Sequence, residues 1–69
     1  MTLLSVVALL QDMPEFALSR GRVGTIVEDL APGVYEVEFV DDEGTTYACV
    51  PVHSSQLMEL HYSKRPQLA

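Results

Sequence analysis

Val34-Tyr35-Glu36-Val37-Glu38-Phe39-Val40 is the stretch on which the fold turns. Tyr35, Val37 and Phe39 alternate with Glu36 and Glu38. Side chains of an extended chain point to opposite faces in turn, so this spacing gives one apolar face and one acidic face, the period of a half-buried strand. Downstream, Asp41-Asp42-Glu43-Gly44 supplies a hairpin turn, with Gly44 suited to the left-handed position of a short loop. Thr45-Thr46-Tyr47-Ala48-Cys49-Val50 returns as its partner, rich in residues that favour extended backbone. Upstream, Asp29-Leu30-Ala31-Pro32-Gly33 reads as a turn, proline fixing φ and Gly33 free to take a positive one. Before it, Arg22-Val23-Gly24-Thr25-Ile26-Val27-Glu28 reads as a further strand. Gly24 inside that run marks a bulge or a close backbone approach, because glycine carries no Cβ to obstruct either.

Further out the pattern weakens. Leu3 to Leu10 is uniformly apolar, which suits a buried strand and equally one or two helical turns. Asp12-Met13-Pro14 ends it, and a turn through Phe16, Ala17 and Leu18 is expected to set Phe16 and Leu18 onto the core. Pro51 ends the strand from Thr45 or places it at a sheet edge, since proline donates no hydrogen bond to a ladder. Ser54 or Ser55 is then expected to cap a single helical or 3-10 turn, and Leu57, Met58 and Leu60 to return to the core as a last short strand. The expected domain covers residues 1–62, with a flexible C-terminal tail at 63–69. Four or five short strands with turns between them imply an all-β, partly open small barrel.

Composition narrows the function. The 69 residues make one domain, and ten acids against four bases give a formal charge of −6. That charge argues against nucleic acid, whose affinity for proteins comes from Lys and Arg on phosphates. It leaves a basic protein partner open. Hydrophobic residues make up 48% of a chain too small to hide them all, which raises the odds of a homo-oligomer or an apolar contact patch. The single cysteine, Cys49, makes no internal disulfide and fits a reducing cytoplasm. Leu3 to Leu10 imitates a signal-peptide core, but no base precedes Arg20 and no small-residue cleavage site follows. It also falls far short of the roughly 20 apolar residues that cross a bilayer, so no membrane association is expected.

No constellation of residues points to chemistry. Asp41-Asp42-Glu43-Gly44 lacks the spaced acids and distal Glu of a calcium loop. Cys49, His53 and His61 lack the close spacings of a structural zinc site, and no cofactor is implied. Ser54, His53 and Asp41 have the residue types of a hydrolase triad, yet adjacent Ser and His on an extended chain point apart. A small barrel filled by its own side chains has little room for a cleft, so the chain is not expected to be an enzyme. Tyr35, Tyr47, Phe39 and Phe16 read as core residues or cross-strand pairs.

Seven of the ten acids (Glu28, Asp29, Glu36, Glu38, Asp41, Asp42 and Glu43) lie between residues 28 and 43 with no base among them. They form either a solvated surface or a docking face that speeds encounter with a basic partner. The expected partner-binding set is therefore Glu36, Glu38, Asp41, Asp42 and Glu43 with apolar Leu3, Leu4, Val7, Met58 and Leu60 beside them. Gly24, Gly33 and Gly44 are assigned to turns or bulges.

Arg20 to Glu28, then Tyr35 to Asp41, then Gly44-Thr45-Thr46-Tyr47, together with the opening apolar run and its Asp-Met-Pro step, resemble an uncharacterised bacterial family, the domain of unknown function 4926. The likeness runs from about Leu3 to Leu60. It implies an SH3-like barrel, and with it a strand for the first apolar run. Family genes beside small toxin-like neighbours imply an antitoxin, immunity-type or accessory partner of a neighbouring gene product. Nucleic-acid-binding barrels of this kind use basic and aromatic residues on the exposed strands, where this chain has Glu36 and Glu38. The expectation is a non-enzymatic protein–protein interaction module, with a structural homo-oligomer as the alternative and a nucleic-acid-binding module as a remoter one.

Overall fold

The alternation at Val34–Val40 is realised as a strand, here β3. In the computed structural model, which describes residues 1–61, Val37 and Phe39 have no exposed surface and Tyr35 packs against the core. The remaining strands are β1 (Val6–Leu9), β2 (Val23–Ala31), β4 (Thr46–His53) and β5 (Leu57–Glu59). All pairings are antiparallel, and the strands form one open sheet in the order β4-β3-β2-β1-β5. Two 3-10 turns, Pro14–Phe16 and Ser54–Gln56, complete the described residues. The expected tail at 63–69 lies outside them.

The core collects alternate side chains from every strand: Val7 and Leu9, Ile26, Val37 and Phe39, Val50 and Val52, and Leu57. Met13 and Leu18 close it, their backbones bridged to each other across the first 3-10 turn. Gly24 is a site of close approach and not a bulge. A Cβ there would lie 2.8 Å from Phe39 Cδ1 and Cε1 and from Val37 Cγ1. The bulges of β2 fall further on, between Ile26 and Glu28 and between Asp29 and Ala31.

Several expected boundaries move. Asp29 to Ala31 belong to β2, because the ladder continues through Asp29↔Tyr35 and Ala31↔Val34. The turn shrinks to Pro32-Gly33, and a connection that tight requires the positive φ of +77° that Gly33 adopts. β4 runs on through Pro51, which stands opposite Glu36 on the edge strand of the sheet. At the other end β1 starts only at Val6. Thr2 to Ser5 form a turn instead, closed by Ser5 N–H to Thr2 O (3.1 Å) and by Thr2 N–H to Ser5 Oγ (3.0 Å). Short hydroxyl side chains compete in this way for backbone groups that a strand would use.

Phe16 lies on the surface and not in the core. The 3-10 turn and the left-handed Ala17 after it (φ 56°) turn Leu18 inward and leave Phe16 on the rim. Tyr47 is exposed as well, since the register skips it between Phe39↔Ala48 and Val40↔Thr46. Its hydroxyl donates to Ala17 O at 3.2 Å, and the Arg22 guanidinium lies 5.0 Å from its ring centroid. Met58 and Leu60 do not enter the core. A strand of three residues buries alternate positions, and here Leu57 takes the inner one. The second 3-10 turn is capped by His53 and not by a serine: Ser55 N–H donates to His53 Nδ1 at 3.1 Å, and His53 N–H to Gln56 Oε1 at 3.3 Å. No helix among the described residues is long and apolar enough to cross a membrane.

Candidate functional site

Directly paired residues of an antiparallel sheet share a face, so the registers assemble the outward surface row by row. One row runs Val6, Thr25, Glu38, Cys49 from β1 to β4. A second runs Met58, Ala8, Val23 from β5 to β2. A third sets Glu28 opposite Glu36, and Glu36 opposite Pro51. Leu60 follows Met58 by two residues and donates its N–H to Val6 O at 2.8 Å, which holds it beside the first row. The face therefore has two halves. Over β5, β1 and the start of β2 it is apolar, with Val6, Val23 and Met58 each 42–49% exposed. Over the rest of β2 and β3 it carries Glu28, Glu36 and Glu38, with apolar Val40 exposed at the end of β3.

The carboxylates are held by neighbours on β4. Thr46 Oγ1 donates to Glu38 Oε2 at 2.6 Å, and Cys49 Sγ to Glu36 Oε2 at 3.5 Å. Glu28 directly opposite Glu36 is a like-charge cross-strand pair, which costs stability unless something offsets it. The same charge acts on Cys49. Partial desolvation raises its pKa, and the Glu36 hydrogen bond and the charges of Glu36, Glu38 and Glu28 raise it further. Cys49 is exposed as a residue, so the carboxylates are the cause a substitution tests. Glu36→Gln should lower the thiol pKa and speed alkylation of Cys49 by iodoacetamide at pH 8. An unchanged pH–rate profile would remove Glu36 from the account.

The expected acidic hairpin divides into three parts. Glu36 and Glu38 belong to the face. Asp41 serves the turn: its Oδ1 accepts from Glu43 N–H at 2.9 Å and from Thr45 N–H at 3.0 Å, an arrangement that fixes the hairpin. Asp42 and Glu43 stand exposed at the tip beside Gly44, whose φ is +82°. Asp41→Ala is expected to cost about 1 kcal/mol by leaving those donors without their partner, and Asp42→Ala less than about 0.5 kcal/mol. Urea unfolding of the two variants checks the difference.

Of the expected apolar contacts, Met58 and Leu60 join the face, and Leu3 and Leu4 lie exposed in the turn before β1. Val7 is withdrawn from the set, being wholly buried against Gly24 and the core. Val6 and Val23 are the residues sequence reasoning missed. The signal for Val23 was present, since it shares the parity of Thr25 and is opposite in parity to Gly24 and Ile26. Val6 stands in a run without alternation and offers no such signal.

The other chemistry-bearing side chains do not converge. His53 is committed to its turn cap at one end of β4, and Asp41 lies beyond the opposite end of the β3–β4 ladder. Among the described residues no three His, Cys, Asp or Glu side chains stand close enough to hold a metal ion, and no cavity is formed. What the face offers is shape-free contact area next to fixed negative charge.

No curated protein and no solved structure matches the chain. A family model described as "Domain of unknown function (DUF4926)" matches residues 3–59, from the turn before β1 to the end of β5. That match takes in all five strands and far more than half of the sequence, and the chain belongs to this family.

Proposed function

We propose that this chain is a non-enzymatic protein–protein interaction module that engages its partner through the outward face of the sheet. One observation carries the reading: an apolar half, with Val6, Val23, Met58 and Leu60, adjoins a carboxylate half, with Glu28, Glu36 and Glu38. Apolar area supplies affinity, while rows of like charge supply steering and partner choice. The non-enzymatic part rests on His53 and Cys49 being engaged separately, one in a turn cap and one on a carboxylate.

The strand order, with a 3-10 turn leading into β5, supports an SH3-like reading of the fold. A bacterial cytoplasmic setting agrees with the single exposed thiol. An antitoxin, immunity-type or accessory role beside a neighbouring gene product agrees with a small acidic module of this design. The exposed apolar half also favours a second reading, a structural homo-oligomer. Light scattering during size exclusion distinguishes them, because a stable, concentration-independent oligomer would favour the second. The test of the first is a photo-crosslinking residue at Met58, co-expressed with the neighbouring gene product. One discrete adduct is expected there and none from the same residue at Asp42; no adduct at Met58 would overturn the reading.

A further inference from the structure

We infer that Pro51 holds the free edge of the sheet closed to a second strand, and that a second copy of this chain pairs along β4 once the proline is removed. β4 is an outer strand of an open sheet. An outer strand presents unpaired N–H and C=O groups on which another strand can form. Which groups those are follows from the phase of the ladder.

In an antiparallel ladder, pairs that exchange hydrogen bonds alternate with pairs whose backbone groups point away from each other. Ser54 N–H donates to Gly33 O at 2.8 Å, one step beyond the pair Val34↔His53. Counting back along the register, Val52, Val50 and Ala48 turn their groups toward β3, and His53, Pro51 and Cys49 turn theirs to the open edge. Pro51, with no N–H to give, therefore costs the β3–β4 ladder nothing and removes a donor from the side where a second strand would dock. His53 N–H is donated to Gln56 Oε1 at 3.3 Å, inside its own chain. Among the described residues, Cys49 N–H is the one of these three positions' donors left for a newcomer.

A second copy laid antiparallel about Pro51 would set proline against proline and Cys49 against His53. The central pair would form no hydrogen bond, leaving two Pro51 carbonyls without a donor, and each flanking pair could form one in place of two. The opposite edge is closed by similar means. Leu60 N–H donates to Val6 O and Leu10 N–H to Gln56 O, so Met58 faces β1 while Leu57 and Glu59 face outward. β5 is three residues long, and its Leu57 N–H is already committed to Ser54 O.

The test compares the full chain with Pro51→Thr by sedimentation velocity in about 1 M NaCl, where repulsion between acidic copies is screened. Threonine restores the donor and favours extended backbone. Pro51→Thr is expected to self-associate at least about tenfold more tightly than the parent, since two hydrogen bonds are regained across the two-fold axis. Adding Gln56→Ala, which releases His53 N–H, should strengthen it further. Adding Cys49→Pro instead, which moves the proline two residues along the same edge, should return the parent's behaviour. Amide exchange followed by NMR should show Cys49 N–H exchanging much faster than Val50 N–H in the parent, and becoming protected in associated Pro51→Thr.

A Pro51→Thr chain that is folded by circular dichroism and sediments like the parent would overturn the inference. So would association that Met58→Ser removes, which would place the contact on the outward face, or a Cys49 amide as protected as that of Val50 in the parent. Should Pro51→Thr not fold, the exchange measurement on the parent decides. Loss of the Met58 crosslink would sink the interaction module and leave the closed edge standing, whereas an open edge would leave the outward face available to a partner.

Discussion

Phe39→Ala is expected to leave this chain without a cooperative unfolding transition. Phe39 is the largest fully buried side chain among the described residues, in a core to which all five strands contribute. Truncating a buried phenylalanine to alanine costs about 3–5 kcal/mol, the lost transfer energy plus the cavity left behind. A single hydrophobic core in a chain below about 70–80 residues rarely supplies more than about 3–5 kcal/mol. The loss therefore takes most or all of the stability. Urea titration followed by far-ultraviolet circular dichroism checks it, and a sigmoidal transition near the parent midpoint would refute it. Phe39→Leu, which keeps most of the volume, should cost less than about 1.5 kcal/mol and retain the transition.

Gly24→Ala should destabilise, against the usual sign of that exchange. In an unhindered strand the replacement removes freedom from the unfolded chain and stabilises by about 0.4–1 kcal/mol. Here the new methyl would lie 2.8 Å from two carbons of the Phe39 ring and from Val37 Cγ1. Neither neighbour has exposed surface to swing into, so the strands must part. Overpacking of this kind costs about 1–3 kcal/mol, which outweighs the entropic gain. The double variant Gly24→Ala, Phe39→Leu should be more stable than the two single effects predict by addition, because the groups touch. A Gly24→Ala chain as stable as the parent would show that the approach is not close.

What could be read from the residues follows from how burial is distributed. Val34 to Val40 was legible because one face is buried and the other is not, so the alternation survives in the sequence. Gly24 was legible as one of two devices, a bulge or a close approach, and its nearness to Phe39 and Val37 decides for the second. Leu3 to Leu10 was not, since an unbroken apolar run carries no parity. Which of Val6 and Val7 turns inward is decided by their partners Thr25 and Gly24 and not by their own chemistry. β2 outran its expected end because two bulges, which leave Val27 and Leu30 unpaired, let the ladder continue through Asp29 and Ala31. The acidic half of the face was visible as Glu36 and Glu38, whereas Val23 and Val6 become neighbours only through register. Asp41 looked like its acidic neighbours until its hydrogen bonds showed that it holds the turn.

The seam between β1 and β5 also fixes an order of assembly. Ser5 and Glu59, 54 positions apart, are hydrogen-bonded across it, whereas β2, β3 and β4 follow one another through short turns. The entropy lost on closing a loop is smaller once the intervening chain is already compact. The three-strand meander is thus expected to be the scaffold on which the first and last strands meet, with β5 the last to join and the first to leave. Its amides should exchange with solvent faster than those of β3, through an opening that frees the apolar half of the face while the carboxylate half stays in place.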